Sequence, residues 1–101
     1  MSQDTLVKLS ADAIAEHLSQ TTGWTQEGDS IVRALTFDNF QQAFAFLTQV
    51  AIITEKLDHH AEIWNVYNQV KLTFSTHDAG GLTIKDFNAA AQINAVIGED
   101  A

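Results

Sequence analysis

Apolar and polar positions along the first half of the chain indicate a helix, a strand hairpin and a longer helix. Ser10 is a good N-cap, and the amphipathic stretch after it predicts a helix over about 11–20. Turn-forming residues at 27–30, followed by a run of β-formers, predict a hairpin. Asp38 is then placed to cap a helix over about 39–57.

The second half opens with an alternating pattern from Ile63 to Thr76, which predicts strand structure with one buried face and one wetter face. Fourteen residues is long for one strand, so a turn near Asn68-Gln69 is expected to divide it in two. The apolar positions that share one parity, and so are expected to face the core together, are Trp64, Val66, Val70, Leu72 and Phe74.

A third helix is predicted over about 84–97. Thr83 and Asp86 have the spacing of a capping box at its start, and Gly98 is placed to end it. Hairpins therefore alternate with helices. The economical architecture is an α+β fold: a four-stranded antiparallel sheet covered on one face by about three helices.

The predicted long helix carries a wider apolar arc than packing on one sheet face usually needs, about half of its circumference. Two interpretations stay open. The helix is either the central helix of a small domain, or one of its flanks packs against a partner subunit.

Length and charge narrow the range of functions. The 101 residues predict one domain over residues 1–101. With 5 basic against 13 acidic residues the formal charge is −8, which disfavours direct binding to nucleic acid or to an anionic membrane. The absence of cysteine excludes disulfides and thiolate chemistry. No signal peptide or bilayer-spanning segment is evident, so we expect a cytoplasmic protein.

Candidate chemistry lies where predicted elements end. His59 and His60 stand side by side at the junction of the long helix with the next strand, and His77 comes where the last strand ends. The carboxylates near them are Glu55, Asp58, Glu62, Asp78 and Asp86. A carboxylate can orient an imidazole and set its tautomer, and such an imidazole can act as a general acid or base.

Other interpretations of these residues stay open. The histidine pair can be solvated loop residues, and Asp86 can serve only to cap its helix. Three histidines and a carboxylate are also adequate zinc or iron ligands, but no His-x-His or His-x3-His spacing supports a metal site.

The segment 55–86, EKLDHHAEIWNVYNQVKLTFSTHDAGGLTIKD, resembles the core of the pterin-4a-carbinolamine dehydratase family. That family carries an acidic residue, three intervening positions, a His pair, then an aromatic residue, a later His and a later Asp. The matching residues here are Glu55, His59, His60, Tyr67, His77 and Asp86. Segments 23–24 and 37–51 resemble the family too, so the likeness spans most of the chain. One departure is Ala61, where the family commonly has proline.

The resemblance implies a carbon–oxygen lyase that dehydrates 4a-hydroxytetrahydropterin to quinonoid dihydropterin in tetrahydropterin recycling. It implies no metal and no organic cofactor, and a functional link to an aromatic amino-acid hydroxylase. Family members are homodimers or homotetramers built through sheet edges and the long helix. The alternative is a non-enzymatic interaction module, a transcriptional coactivator or an assembly factor, that uses the long helix.

The resemblance also implies residue roles. His59 and His77 are expected to form the acid/base pair, with His60 binding or polarising the pterin. Glu55, Asp58 and Asp86 are expected to orient imidazoles, and Trp64 and Tyr67 to contact the substrate. Which histidine is the acid and which the base stays open. This chemistry predicts a bell-shaped dependence of the rate on pH.

Overall fold

The computed structural model describes residues 7–98, and each predicted element is found there. In chain order the elements are α1 (Ala11–Ser19), β1 (Thr25–Glu27), β2 (Ser30–Thr36), α2 (Phe40–Leu57), β3 (Glu62–Val66), β4 (Gln69–Phe74) and α3 (Ile84–Ile97). The one-domain prediction covers residues 1–101 and stays a prediction. The first six and last three of these residues lie outside the described part, as does most of the segment on which the signal-peptide expectation rests.

The four strands form one antiparallel sheet in the order β1-β2-β4-β3, which confirms the expected α+β fold. The central pair, β2 and β4, is matched from Ile31 opposite Phe74 to Thr36 opposite Gln69. Alternate residues of this pair face the helices, and all of them except the half-buried Leu35 are buried and pack with buried residues of α2 and α3. The core therefore lies between one sheet face and the helical layer. None of the helices within residues 7–98 is long and apolar enough to cross a bilayer.

The predicted facing of Trp64 and Val66 is wrong. The turn is at Tyr67-Asn68, so Val66 pairs with Gln69 and Trp64 with Lys71. In such a two-residue hairpin, even-numbered positions of β3 lie opposite odd-numbered positions of β4. Paired residues share a sheet face, and Trp64 and Val66 are therefore on the open face, about half exposed. The parity argument fails because it treats two strands as one continuous strand.

Three helix-end predictions are confirmed and one is wrong. Ser10 caps α1, Thr83 and Asp86 form the capping box of α3, and Gly98 ends α3 in a left-handed conformation. At the start of α2 the cap is Asn39 rather than Asp38, because the side chain of Asn39 accepts a hydrogen bond from the Gln42 amide at 2.9 Å. Asn and Asp cap equally well, so position decides between them.

The apolar arc of α2 divides into a buried and an exposed part. Ala43, Phe46, Leu47 and Val50 are buried against the sheet and α3. The outer flank of α2, which we define by Phe40, Phe44, Thr48, Ala51 and Ile52, is exposed, and the Phe44 side chain keeps 55% of its accessible surface. The wide arc therefore exceeds what packing within one copy of the chain covers.

Candidate active site

The end of α2 positions the histidine pair. Asp58 adopts a left-handed conformation, φ 53°, and its amide donates to the carbonyl oxygens of Thr54 and Glu55. The next amide, that of His59, also donates to the Thr54 carbonyl at 3.0 Å. Asp is among the few residues other than glycine that tolerate this conformation. The chain therefore turns sharply away from the helix, and the two histidines follow at once.

A short loop after β4 positions His77. The loop closes through a bridge between Thr76 and Gly81, and its first turn, His77–Ala79, is 3-10 helical. Gly80 supplies the left-handed position, φ 73°, that ends the turn. The imidazole of His77 is exposed, and it forms no hydrogen bond with any residue of the described part of the chain.

Asp86 is the fully buried carboxylate of the site, with no exposed surface. One oxygen, Oδ1, lies 2.6 Å from Nε2 of His59. The other, Oδ2, accepts from the Thr76 hydroxyl at 2.8 Å and from the Thr83 amide at 2.9 Å. The same residue thus caps α3 and contacts a histidine, and its part in catalysis stays a prediction. The histidine that it contacts is His59, and it forms no hydrogen bond with His77.

A count of protons around Asp86 assigns the tautomer of His59. Thr83 Oγ1 accepts from the Lys85 amide and lies 2.8 Å from Thr76 Oγ1, so a chain of hydroxyl protons can run from Thr83 through Thr76 to Asp86. An ionised carboxylate only accepts hydrogen bonds. With Asp86 ionised, Nε2 of His59 is therefore assigned as the donor, and Nδ1 has no hydrogen-bond partner among residues 7–98.

His59 is further fixed by stacking. Its ring lies nearly parallel to that of Phe74, at an angle of 11° and a centroid distance of 5.8 Å. Only 12% of the His59 side chain is exposed. A buried hydrogen bond on one side and an aromatic ring on one face leave this imidazole little freedom to rotate, which is how a general base is preorganised.

His60 has its own carboxylate, in a more open setting. Its Nε2 lies 2.8 Å from Oε1 of Glu55, across the end of α2. Both side chains are largely exposed, so this contact contributes little to stability. The structure thus pairs His59 with Asp86 and His60 with Glu55. Asp58 bonds to neither histidine through its side chain, and its observed part is to end α2.

The three histidines line one open cleft of about 310 Å³. The residues around it are Asp58, His59, His60, Ser75, Thr76, His77, Asp78 and Lys85. Sequence reasoning missed Ser75, Thr76 and Lys85 as cleft residues. Their nearness in the chain to His77 and Asp86 was the available signal. Within residues 7–98, no group of three or more His, Cys, Asp or Glu side chains is arranged to hold a metal ion.

Trp64 and Tyr67 are not brought into this cleft. Trp64 lines a separate cavity on the open sheet face with Lys71 and Thr73, and Tyr67 is exposed at the β3–β4 turn. Within one copy of the chain neither side chain borders the histidines. Their role as substrate contacts therefore stays a prediction that rests on the resemblance alone.

The sequence model of the family described as "Pterin 4 alpha carbinolamine dehydratase" matches residues 7–96, which include every histidine of the cleft. The chain belongs to this family. A relative from Sinorhizobium fredii, provisionally named a pterin-4-alpha-carbinolamine dehydratase, is 53% identical over 89 residues, covering 86% of this chain and 85% of its own. One from Chloroflexus aurantiacus with the same provisional name is 47% identical, covering 90% and 98%.

Two solved structures share the pterin dehydratase fold. A transcriptional coactivator/pterin dehydratase from Brucella melitensis matches with a TM-score of 0.85 and 37% identity, covering 88% of this chain and 97% of its own. A pterin dehydratase-like protein identified as a RuBisCO assembly factor in the alpha-carboxysome matches with a TM-score of 0.67 over 80% and 96%. At 21% identity, the second shows likeness of fold alone.

Proposed function

We propose that this protein dehydrates 4a-hydroxytetrahydropterins to quinonoid dihydropterins, as a carbon–oxygen lyase. The observation that carries the proposal is that the three histidines of the family motif, His59, His60 and His77, line one cleft. Family membership and the names of the relatives support a pterin dehydratase activity. The substrate is the product that an aromatic amino-acid hydroxylase releases, so the proposed place is the recycling of tetrahydropterins.

The reaction needs one proton delivered and one removed. As the bond from C4a to its hydroxyl oxygen breaks, a protonated group delivers a proton to the oxygen, which leaves as water. The lone pair of the neighbouring ring nitrogen, N5, forms a double bond to C4a, and the N5 proton passes to a base. Two imidazoles of opposite protonation on one substrate can perform both transfers.

The hydrogen bonds of the site favour one assignment of these roles. His59 holds its proton on Nε2 against Asp86, so its free Nδ1 is the acceptor in the neutral ring, and we assign it as the base. The imidazole of His77 is exposed and has no hydrogen-bond partner among the described residues, so it can exchange protons with water, and we assign it as the acid. His60, oriented by Glu55, contacts the pterin ring in this proposal.

The test measures dehydration of freshly generated 4a-hydroxytetrahydropterin by ultraviolet absorbance, with wild type, His59→Ala and His77→Ala. Each cleft variant is expected to lose at least about 100-fold in kcat, the lower range for one acid or base. The matched control is His17→Ala, because His17 lies outside the cleft, stacked on Phe87 at 5.0 Å. Circular dichroism verifies folding. A folded wild type that leaves the uncatalysed rate unchanged would overturn the proposal.

A homo-oligomer is the second part of the proposal. Copies of a chain with charge −8 repel each other at long range. From Phe40 to Thr54, α2 carries no charged residue, and its outer flank exposes apolar surface. Charge repulsion therefore opposes self-association least along the outer flank of α2. Light scattering is expected to show a dimer or tetramer that Phe44→Lys dissociates, whereas Gln92→Lys, an exposed position on α3, leaves it intact. A monomeric wild type would contradict this part.

The same flank favours one alternative function, a non-enzymatic interaction module. An exposed, uncharged helix face suits a partner protein as well as a second copy. Cleft and flank variants separate the two functions. An enzyme loses activity with His77→Ala, whereas an interaction module keeps its partner binding with that variant and loses it with Phe44→Lys.

A further inference from the structure

Lys85 connects the histidine cleft with a second, smaller cavity. It is the second residue of α3, half-buried, and it borders the cleft beside His59. It also lines an adjoining cavity of about 130 Å³ together with Leu57, His59 and Asn88. The two cavities share His59 and Lys85, so they are neighbours, and a substituent of a molecule bound against the histidines lies close to the smaller space.

The ammonium group of Lys85 has no counter-ion among residues 7–98. No carboxylate of residues 7–98 forms an ion pair with it, although the chain has 13 acidic residues against 5 basic ones. An ammonium group donates charge-assisted hydrogen bonds to anionic groups. An anionic group of a bound ligand would supply the missing partner, and no other Lys or Arg of the described residues lines the cleft.

The size and lining of the smaller cavity suit a substituent rather than a ring system. At about 130 Å³ it has less than half the volume of the histidine cleft, which is about 310 Å³. Leu57 offers an apolar wall for a short carbon chain, and the Asn88 amide offers a further donor beside the Lys85 ammonium. This combination fits a short carbon chain that ends in acceptor oxygens.

We propose that this cavity is a subsite for the substituent on the pterin ring, and that Lys85 and Asn88 select a substituent that ends in an anionic oxygen. The inference rests on the proposed function, since the ring must first occupy the histidine cleft. Carboxylate and phosphate share the required chemistry, because both accept charge-assisted hydrogen bonds from an ammonium group. Lys85 is in this scheme a specificity-determining residue and takes no part in proton transfer.

The test measures binding of stable, fluorescent oxidised pterins, and so does not depend on turnover. The probes are 6-methylpterin, 6-carboxypterin and the phosphate ester of 6-hydroxymethylpterin. Wild type is expected to bind at least one anionic probe roughly tenfold more tightly than 6-methylpterin, as one charge-assisted hydrogen bond allows. The stronger of the two anionic probes identifies the group that the subsite takes.

Three variants test whether Lys85 and Asn88 cause the preference for anionic pterins. Lys85→Met keeps the length of the side chain and is expected to abolish the anionic preference, which is read as the ratio of the affinities for an anionic probe and for 6-methylpterin. Asn88→Ala is expected to reduce the preference partly. Lys71→Met makes the same change in net charge on the open sheet face and is expected to keep the preference.

Two outcomes overturn the inference and are distinguishable. A wild type that dehydrates the methyl-substituted substrate but shows no anionic preference, or shows one that Lys85→Met retains, refutes the subsite and leaves the proposed function intact. A folded wild type that binds none of the three pterins and does not accelerate dehydration refutes both.

Discussion

Replacement of Asp86 by asparagine tests the hydrogen-bond geometry on which the assignment of the base depends. The carboxylate accepts three hydrogen bonds, from Nε2 of His59, the Thr76 hydroxyl and the Thr83 amide. The amide of Asp86→Asn has the same shape but only one acceptor oxygen. If that oxygen stays on the Thr83 amide to cap α3, the NH2 group faces His59 and favours the wrong tautomer, with the proton on Nδ1.

The expected changes in Tm and kcat follow from the loss of the charge-assisted hydrogen bond between position 86 and His59. One charge-assisted hydrogen bond to a buried group contributes about 1.5–3 kcal/mol. For a domain of this size, such a loss lowers Tm by about 6–24 °C, at about 4–8 °C per kcal/mol. The catalytic effect is separate, because a base in the wrong tautomer cannot accept the proton. We expect kcat to fall by about 10²–10⁴, the contribution of one general base, with a smaller change in KM.

The assay combines thermal unfolding with dehydration kinetics well below the new Tm. Asp38→Asn is the matched control, since Asp38 is exposed and caps no helix. It is expected to leave both quantities nearly unchanged. A folded Asp86→Asn protein with kcat within about twofold of wild type would refute the assignment of His59 as base. A large loss of kcat with unchanged KM would support it.

Three further predictions concern the fold and the pH profile. Gly23→Ala is expected to lower the free energy of unfolding, measured in urea, by about 2–4 kcal/mol. The reason is that φ is +89° at Gly23 and the new Cβ would overlap the guanidinium group of Arg33. Gly28→Ala, with φ +59° and open space around it, is expected to cost about 1–2 kcal/mol, and an equal loss in both would contradict the steric argument. Asn39→Ala is expected to cost about 0.5–2 kcal/mol while Asp38→Ala is nearly neutral; the reverse order would contradict the observed cap. The rate of dehydration is expected to fall at both ends of the range from about pH 5 to 9 because the acid and the base must differ in protonation, and a flat profile would count against the pair.

The sequence predicts best what depends on neighbours in the chain. The capping box of Thr83 and Asp86 and the end of α3 at Gly98 follow from hydrogen bonds between residues three or four positions apart. The order of helices and strands follows from apolar periodicity, which reflects burial of one face. The α+β class could be predicted because these local signals agree with one another, and the structure confirms it. The His pair and His77 can be recognised as candidate site residues because each follows the end of a helix or strand.

Only the tertiary structure decides which distant groups meet. Asp86 contacts His59, 27 positions away, because α3 begins beside the end of α2. Arg33 is likewise buried because β2 and α3 pack beside each other. It donates to the Thr22 carbonyl and to Asn94 on α3, and no local pattern indicates that pairing. Trp64 faces away from the core because a two-residue turn sets the register of β3 on β4. Local spacing determines where elements begin and end, whereas sheet register and helix packing join residues whose separation in the chain carries no such signal.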